Sequence, residues 1–225
     1  MKYLIANWKA ELNSSQITEW LTTFTTLVNN DGALLNAIHS EAIKLVICPP
    51  YPYLHHVKDA IKSLPQAAMG AQSVSPKAAG KYTGEVTAEM LKHFVQYVII
   101  GHSERRNYNG ETEEMIAEEL KRSYEQYLHP LLCIRGAEDT LHEHVKLIAY
   151  EPVAAIGSGQ NADLASVLEM KKQLTLPTEA AFIYGGSVDA ANAKMYLNSG
   201  EIDGFLVGSA STKAETFYEL AKQLL

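Results

Sequence analysis

Eight short apolar runs divide this chain, and they constrain its fold more than any other feature of the sequence. The runs are Tyr3–Ala6, Leu45–Cys48, Ala67–Gly70, Tyr97–Ile100, Leu131–Ile134, Leu147–Tyr150, Ala181–Tyr184 and Gly204–Val207. A strand with one exposed face alternates apolar and polar residues, whereas a strand buried on both faces is apolar throughout. The runs therefore predict eight strands of a parallel sheet.

Segments with helical spacing separate these runs. Three such stripes are Ile116, Leu120 and Tyr124; Leu164, Val167, Leu168 and Leu174; and Ala214, Phe217, Ala221 and Leu224. Strand and helix alternate without a linker or low-complexity tract, which predicts one α/β domain over residues 1–225. Eight such units fit a single closed (β/α)8 barrel, with a doubly wound open sheet as the alternative.

The fifth unit of this pattern is unusually short. Only residues 135–146 separate Ile134 from Leu147. That length is near the minimum for a connection between parallel strands. We therefore predict a shortened fifth βα unit with a helix of at most two turns.

Composition narrows the class of protein. The net charge is −7, and no basic face suits a nucleic-acid backbone. The sequence has no apolar stretch near the roughly 18 residues of a membrane span, and its start is too short and polar for a signal peptide. We expect a cytoplasmic protein without nucleic-acid or membrane partners. Cys48 and Cys133 lie in apolar runs, which favours buried reduced thiols over a disulfide.

Polar residues follow three of the predicted strands, at the edge where barrel enzymes carry their chemistry. Asn7 and Lys9 follow the first strand, His102 and Glu104 the fourth, and Glu151 the sixth. Glu151 is either a general base or an ion-pair partner, and His102 either a neutral proton donor at a helix start or a turn cap. Lys9 is either a counter-charge or a surface lysine, with Asn7 as a donor and Glu104 as the lysine's partner.

Glycine turns follow the last two strands, at Gly185-Gly-Ser187 and Gly208-Ser-Ala210. Backbone N–H groups in such turns approach phosphate closely, and phosphate sites occur after strands seven and eight of barrels. His142 and His144 lack clear additional ligands, so we predict no metal site.

Together these segments resemble the triosephosphate isomerase family. The matching motifs run in family order along nearly the whole chain: NWK at 7–9, GAQ at 70–72, YTGEV at 82–86, GHSERR at 101–106, YEPV at 150–153, IG at 156–157, YGGSV at 184–188 and GFLVG at 204–208.

The resemblance implies an enzyme of glycolysis and gluconeogenesis. It implies a (β/α)8 barrel that interconverts dihydroxyacetone phosphate and D-glyceraldehyde 3-phosphate without a cofactor. Glu151 would remove the proton beside the carbonyl and His102 would polarise that carbonyl. Lys9 and Asn7 would stabilise an enediolate, supported by Glu104. The substrate-binding and phosphate-binding residues would be Asn7, Lys9, Gly157, Ser187, Gly208 and Ser209.

The same resemblance implies a homodimer. The segment 72–83, from Gln72 to Thr83, is similar to the family's protruding loop, which places its threonine near the neighbour's Asn7 and Lys9. Glu85, just after this segment, is the third residue that the resemblance assigns to the dimer loop. A monomer or a larger assembly is the alternative.

Four positions depart from the family pattern. Ala6 replaces a glycine, Ala154 replaces a tryptophan of the lid over the site, and Ser209 replaces the second glycine of the last phosphate turn. Residues 133–136 read Cys-Ile-Arg-Gly where the family has Cys-Ile-Gly-Glu. We expect the Ala154 lid to close less tightly, which comparison with Ala154→Trp would test.

Two other functions fit a phosphate-binding barrel. An aldolase would need a Schiff-base lysine, which borohydride trapping with substrate would reveal. A non-catalytic binding protein is the second, and the full set of strand-end residues speaks against it.

Overall fold

A closed parallel barrel forms the centre of the molecule. The computed structural model describes residues 1–152 and 161–225. Within them, the strands follow each other around the barrel in chain order, and β1 pairs with both β2 and β8. They are β1 (Lys2–Asn7), β2 (Ile43–Cys48), β3 (Ala68–Ala71), β4 (Tyr97–Ile100), β5 (His129–Ile134), β6 (Leu147–Tyr150), β7 (Ala181–Tyr184) and β8 (Gly204–Val207). The prediction of a (β/α)8 barrel is confirmed. The alternative, a doubly wound open sheet, is excluded because the first strand pairs with the last.

Both faces of the strands are buried, which explains why the predicted runs are continuous. Alternate residues such as Ile5, Val46 and Ile99 form one apolar cluster, while their neighbours Leu4 and Leu45 belong to a second, larger cluster that includes helix residues. This period of two places the first set inside the barrel and the second under the helices. The third run was predicted one residue too early.

Helices surround the barrel. The described residues form α1 (Ser14–Asn29), α2 (Gly32–His39), α3 (Leu54–Ala60), α4 (Ala88–Leu91), α5 (Ser103–Asn109), α6 (Glu113–Glu125), α7 (Leu164–Gln173), α8 (Ala193–Leu197) and α9 (Ala214–Lys222). Local sequence sets several starts: Asn13 and Gln16 form a capping box before α1, and Thr112 and Asp163 cap α6 and α7. Of the predicted α6 stripe, Ile116 and Leu120 are buried, but Tyr124 lies exposed at its edge.

The shortened fifth unit is confirmed. Residues 135–146 are all described and contain no helix between β5 and β6. A side-chain clamp holds this connection instead: the Arg135 guanidinium and backbone N–H donate to the buried carboxylate of Asp139 at 2.6 to 3.0 Å. Arg106 lies 3.7 Å from the same carboxylate.

The two cysteines lie in barrel strands, Cys48 in β2 and Cys133 in β5, where the sequence predicts buried reduced thiols. Cys48 and Cys133 are free and buried, and burial raises the pKa of both thiols above the ordinary value. No helix in the described ranges is long and apolar enough to cross a membrane.

Candidate active site

A cavity of about 330 Å³ opens at the carboxyl ends of the strands. Among the predicted site residues, those that line it are Asn7, Lys9, His102, Glu151, Ser187, Gly208 and Ser209. Glu104 contacts Lys9 beside the cavity, whereas the predicted loop residues Gln72, Thr83 and Glu85 do not line it. Gly157 and the lid position Ala154 lie outside the described residues. Side chains separated by more than 140 positions thus meet because parallel strands end at one face.

Glu151 follows β6 and is buried, with 1% of its surface exposed. Its backbone N–H donates to the Ile134 carbonyl at 2.8 Å, which keeps it in register with β5. One carboxylate oxygen, Oε1, lies 2.9 Å from His102 Nε2, and the other accepts the Ser103 N–H at 2.9 Å. Both oxygens are therefore engaged by residues at the start of α5.

Gly185 makes room for this carboxylate. A Cβ at position 185 would lie 3.0 Å from Glu151 Cγ and 3.2 Å from the Tyr150 carbonyl oxygen. These separations are tighter than ordinary van der Waals contact. The missing side chain at Gly185, the first glycine of the turn after β7, thus leaves space for the Glu151 side chain.

His102 is the N-cap of α5, which is one of the two roles that the sequence left open. Its Nδ1 accepts the Glu104 N–H at 3.2 Å. Nδ1 therefore carries no proton, and the Nε2 proton faces Glu151. Burial lowers the pKa of His102, but the Glu151 and Glu104 carboxylates outweigh it, so the pKa is raised above its ordinary value. A helix N-terminus favours the neutral imidazole, but here the neighbouring carboxylates have the larger effect.

Lys9 adopts a left-handed backbone conformation with φ of 49°. Its N–H donates to Asn7 Oδ1 at 3.1 Å, and its Nζ donates to Glu104 Oε1 at 2.7 Å. A Cβ at Gly208 would lie 3.4 Å from Lys9 Cε, an ordinary van der Waals contact, so the lysine stem runs beside the turn after β8. The geometry places one cation between the first, fourth and eighth strands.

The two glycine turns also line the cavity. Gly208 leads into a short 3₁₀ helix at Ser209–Ser211. The indole N–H groups of Trp8 and Trp20 both donate to the Ser211 carbonyl, at 3.1 and 2.9 Å. The loop after β1 and the turn after β8 are therefore fixed to each other.

The sequence did not single out three polar residues of this region: Ser103, which binds Glu151, and Asp189 and Asn192, which line the cavity. Ser103 is the first residue of α5, and its position inside GHSERR was the available signal for a backbone donor. Asp189 Oδ1 accepts the N–H groups of Ala191 and Asn192, so this carboxylate also shapes the turn.

Metal ligation has no support among the residues with described positions. They contain no group of three or more His, Cys, Asp or Glu side chains that could hold a metal ion.

The fold and this cavity define a TIM-barrel enzyme with its site at the carboxyl ends of the strands. The sequence model of the family described as Triosephosphate isomerase matches residues 2–224. The chain belongs to the triosephosphate isomerase family, whose members are aldose–ketose isomerases.

Curated relatives carry the same description over nearly full length. The triosephosphate isomerase of Alkaliphilus oremlandii is 34% identical, with 95% of this chain and 96% of the relative aligned. That of Dictyoglomus turgidum is 33% identical over 98% of both chains. That of Dehalococcoides mccartyi is 34% identical over 98% of this chain and 95% of the relative.

Proposed function

We propose that this protein interconverts dihydroxyacetone phosphate and D-glyceraldehyde 3-phosphate in glycolysis and gluconeogenesis, in the cytoplasm and without a cofactor. The observation that carries the proposal is the buried Glu151–His102 contact of 2.9 Å at the wall of the cavity that Lys9 also lines. A base, a proton donor and a cation around one cavity are what proton transfer beside a carbonyl requires.

Glu151 is the base in this proposal. Its two oxygens contact His102 and Ser103, so the carboxylate must turn into the cavity to reach a substrate carbon. There it takes a proton from the carbon beside the carbonyl, forming an enediolate, and returns the proton to the neighbouring carbon. No bond between enzyme and substrate forms, and no redox partner is needed.

His102 acts as a neutral proton donor. Because Nδ1 accepts the Glu104 N–H, the donor is Nε2. The Glu151 carboxylate helps raise the pKa of His102, and that influence weakens when the carboxylate turns towards substrate. Nε2 then polarises the carbonyl and moves the proton between the two substrate oxygens.

Lys9 supplies the positive charge that the developing enediolate and the substrate phosphate need. Glu104 holds Nζ at 2.7 Å, and Asn7 fixes the lysine backbone while serving as a neutral donor. The phosphate would bind to backbone N–H groups of Gly157, Ser187, Gly208 and Ser209. The global charge of −7 is thereby overcome by local donors.

A coupled assay of glyceraldehyde 3-phosphate conversion tests the function. The parent should convert it, and Glu151→Gln should lower kcat by about 10³-fold or more because the base is lost. Glu179→Gln is the matched control, since the Glu179 side chain is 85% exposed. No conversion by folded parent, or an undiminished rate in Glu151→Gln, would sink the mechanism.

We also propose a homodimer built around the loop after β3. Residues 77–85, which include Thr83 and Glu85, are all exposed in the single chain. At the base of this loop, Gln72 Nε2 donates to the carbonyl oxygens of Lys9 and Cys48, each at 2.9 Å. A partner held by this loop would therefore also steady the catalytic lysine.

A further inference from the structure

Two stacked tyrosines lie beneath the phosphate side of the cavity. Tyr184 ends β7 and Tyr196 belongs to α8; their ring centroids are 4.4 Å apart with planes at 22°, and both side chains are fully buried. Tyr196 also meets the ring of Phe205 on β8 edge-on, at 6.2 Å. One aromatic side chain thus covers both strands from which the glycine turns emerge.

The seam under Tyr196 has few ladder contacts. In the described chain, β7 and β8 are joined through one registered pair, Tyr184 with Phe205, whereas β6 and β7 share four. Asp203 N–H also donates to the Phe182 carbonyl across this seam at 2.8 Å, and the packing of aromatic side chains adds to this backbone pairing. Tyr196 contacts both members of that single pair.

The two hydroxyl groups hold the backbone of Ala162. Tyr184 accepts the Ala162 N–H at 2.9 Å, and Tyr196 donates to the Ala162 carbonyl. Asn161 Nδ2 donates to the Tyr196 hydroxyl at 3.2 Å. Burial and the hydrogen bond with Tyr196 raise the pKa of Tyr184, so its hydroxyl keeps its proton. Ala162 precedes Asp163, the N-cap of α7, so the hydroxyls join β7, α7 and α8.

The Tyr184 hydroxyl reaches directly under the phosphate turn. A Cβ at Gly186 would collide with that hydroxyl and its ring. The position of the 185–187 turn, which lines the cavity, therefore depends on where the Tyr184 hydroxyl is held. Tyr196 and Ala162 hold it.

We propose that Tyr196 is a positioning residue that sets the phosphate-binding geometry of the 185–187 turn through Tyr184 and Ala162. It touches no substrate. The inference rests on the proposed function for its substrate, but it concerns recognition of the phosphate group rather than proton transfer. Loss of the Tyr196 hydroxyl leaves the Ala162 carbonyl without this donor and frees Tyr184 to shift, while the ring stack persists.

The test variant is Tyr196→Phe, which keeps the ring and removes the hydroxyl. We expect kcat/KM for glyceraldehyde 3-phosphate to fall about 10-fold, the effect of one buried hydrogen bond. D-glyceraldehyde, the same substrate without its phosphate, should lose less than about twofold, because remote binding energy acts only when the phosphate is present. The dissociation constant of inorganic phosphate, measured by calorimetry, should rise by a similar factor of about 10.

Two further variants separate positioning from folding. Tyr218→Phe removes a hydroxyl that binds Asp31 at 3.0 Å, away from the cavity, and should change none of the three measurements. Tyr184→Phe combined with Tyr196→Phe should cost less than the product of the single effects, because both act on Ala162. Asn161→Ala should shift the measurements in the same direction by about twofold, and it remains useful if Tyr196→Phe folds poorly.

The outcomes distinguish the inference from the function. Equal losses on both substrates, or phosphate affinity unchanged from the parent, would overturn the positioning role even in an active isomerase. A parent that binds phosphate without isomerising the triose, with affinity lowered by Tyr196→Phe, would sink the proposed function and leave the positioning role standing. Absence of phosphate binding by the parent would overturn both.

Discussion

At the scale of single residues, Lys9 combines a strained backbone conformation with a side chain that lines the cavity. Non-glycine residues rarely adopt a positive φ, and holding one there costs on the order of 1–3 kcal/mol. The surroundings fix this conformation from both sides, because Asn7 accepts the Lys9 N–H and Gln72 donates to its carbonyl. With the backbone in this conformation, Lys9 Nζ donates to Glu104 and the side chain lines the cavity.

Two substitutions at position 9 separate strain from chemistry. Lys9→Gly removes both the side chain and the penalty for positive φ, whereas Lys9→Ala keeps the penalty. We expect both to lower kcat/KM about 10³-fold or more, and urea unfolding to find Lys9→Gly more stable than Lys9→Ala by about 1 kcal/mol. Equal stability of the two variants would show that the backbone there is unstrained.

Glu119 is a second residue whose environment opposes its chemistry. It lies on the buried face of α6, 1% exposed, and neither carboxyl oxygen has a hydrogen-bond partner among the described residues. Burial, reinforced by the nearby Glu111 carboxylate, raises the pKa of Glu119 to about 9. Its position was readable in the sequence, since Ile116, Glu119, Leu120 and Ser123 share a helical stripe. The proximity of the Glu111 carboxylate was not.

The raised pKa of Glu119 makes stability depend on pH. Between the ordinary glutamate pKa of 4.5 and about 9 the folded chain binds more protons at this site than the unfolded chain, so stability falls as pH rises through this window. Glu119→Gln mimics the protonated form. We expect the variant to be more stable than the parent at pH 8 by a few kcal/mol, on the order of 2, and similar at pH 5. Parallel pH profiles of urea unfolding would refute this.

At the scale of elements, the strands and the short connection between β5 and β6 were predictable, whereas the contacts between distant connections were not. Because each strand is buried on both faces, it appears in the sequence as a continuous apolar run. Glu151, His102 and Lys9 follow the ends of such strands, so the barrel brings them together. The engagement of Glu151 by Ser103, and of Ala162 by Tyr196, depends on side-chain directions across the fold. No local pattern encodes such contacts.

The connection between β5 and β6 shows what replaces a missing helix. The Asp139 carboxylate is bound by Arg135 and approached by Arg106. Burial raises the pKa of Asp139, but the hydrogen bonds from Arg135 and the charge of Arg106 outweigh it, so the pKa is lowered. The stabilisation that Asp139 gains from Arg135 and Arg106 is therefore present above the ordinary aspartate pKa. It is lost as pH falls through the lowered pKa of Asp139.

Removing that charge should destabilise the fifth unit. Asp139→Asn leaves Arg135 and Arg106 facing an uncharged amide, and we expect a loss of about 2–3 kcal/mol at pH 7, below the range for fully buried pairs because Arg135 is partly exposed. The exposed Glu143 provides the control, and Glu143→Gln should change stability by less than about 0.5 kcal/mol. If the two variants unfold at the same urea concentration, the clamp does not stabilise the connection.

At the scale of the whole molecule, we propose that residues 1–225 fold as one domain. The first and last strands are hydrogen-bonded neighbours, and α1 packs on α9. Chain 1–202, which lacks β8 and α9, should therefore show no cooperative thermal transition, while the full chain should lose far-UV and near-UV circular dichroism together. Separate transitions in the full chain would indicate two units.

Assembly is the remaining property of the whole molecule, and we propose that the loop after β3 links it to catalysis. We expect sedimentation velocity to give twice the mass of one chain. Thr83→Arg should shift the protein to monomers and lower kcat about 10-fold or more, because the loop that carries Thr83 begins at Gln72, which binds the Lys9 carbonyl. Glu179→Arg, a change at an exposed site before β7, should alter neither mass nor kcat. If Thr83→Arg is monomeric and keeps the parent's kcat, the loop does not support the catalytic role of Lys9. If the parent itself is monomeric and fully active, the proposal of a homodimer is wrong.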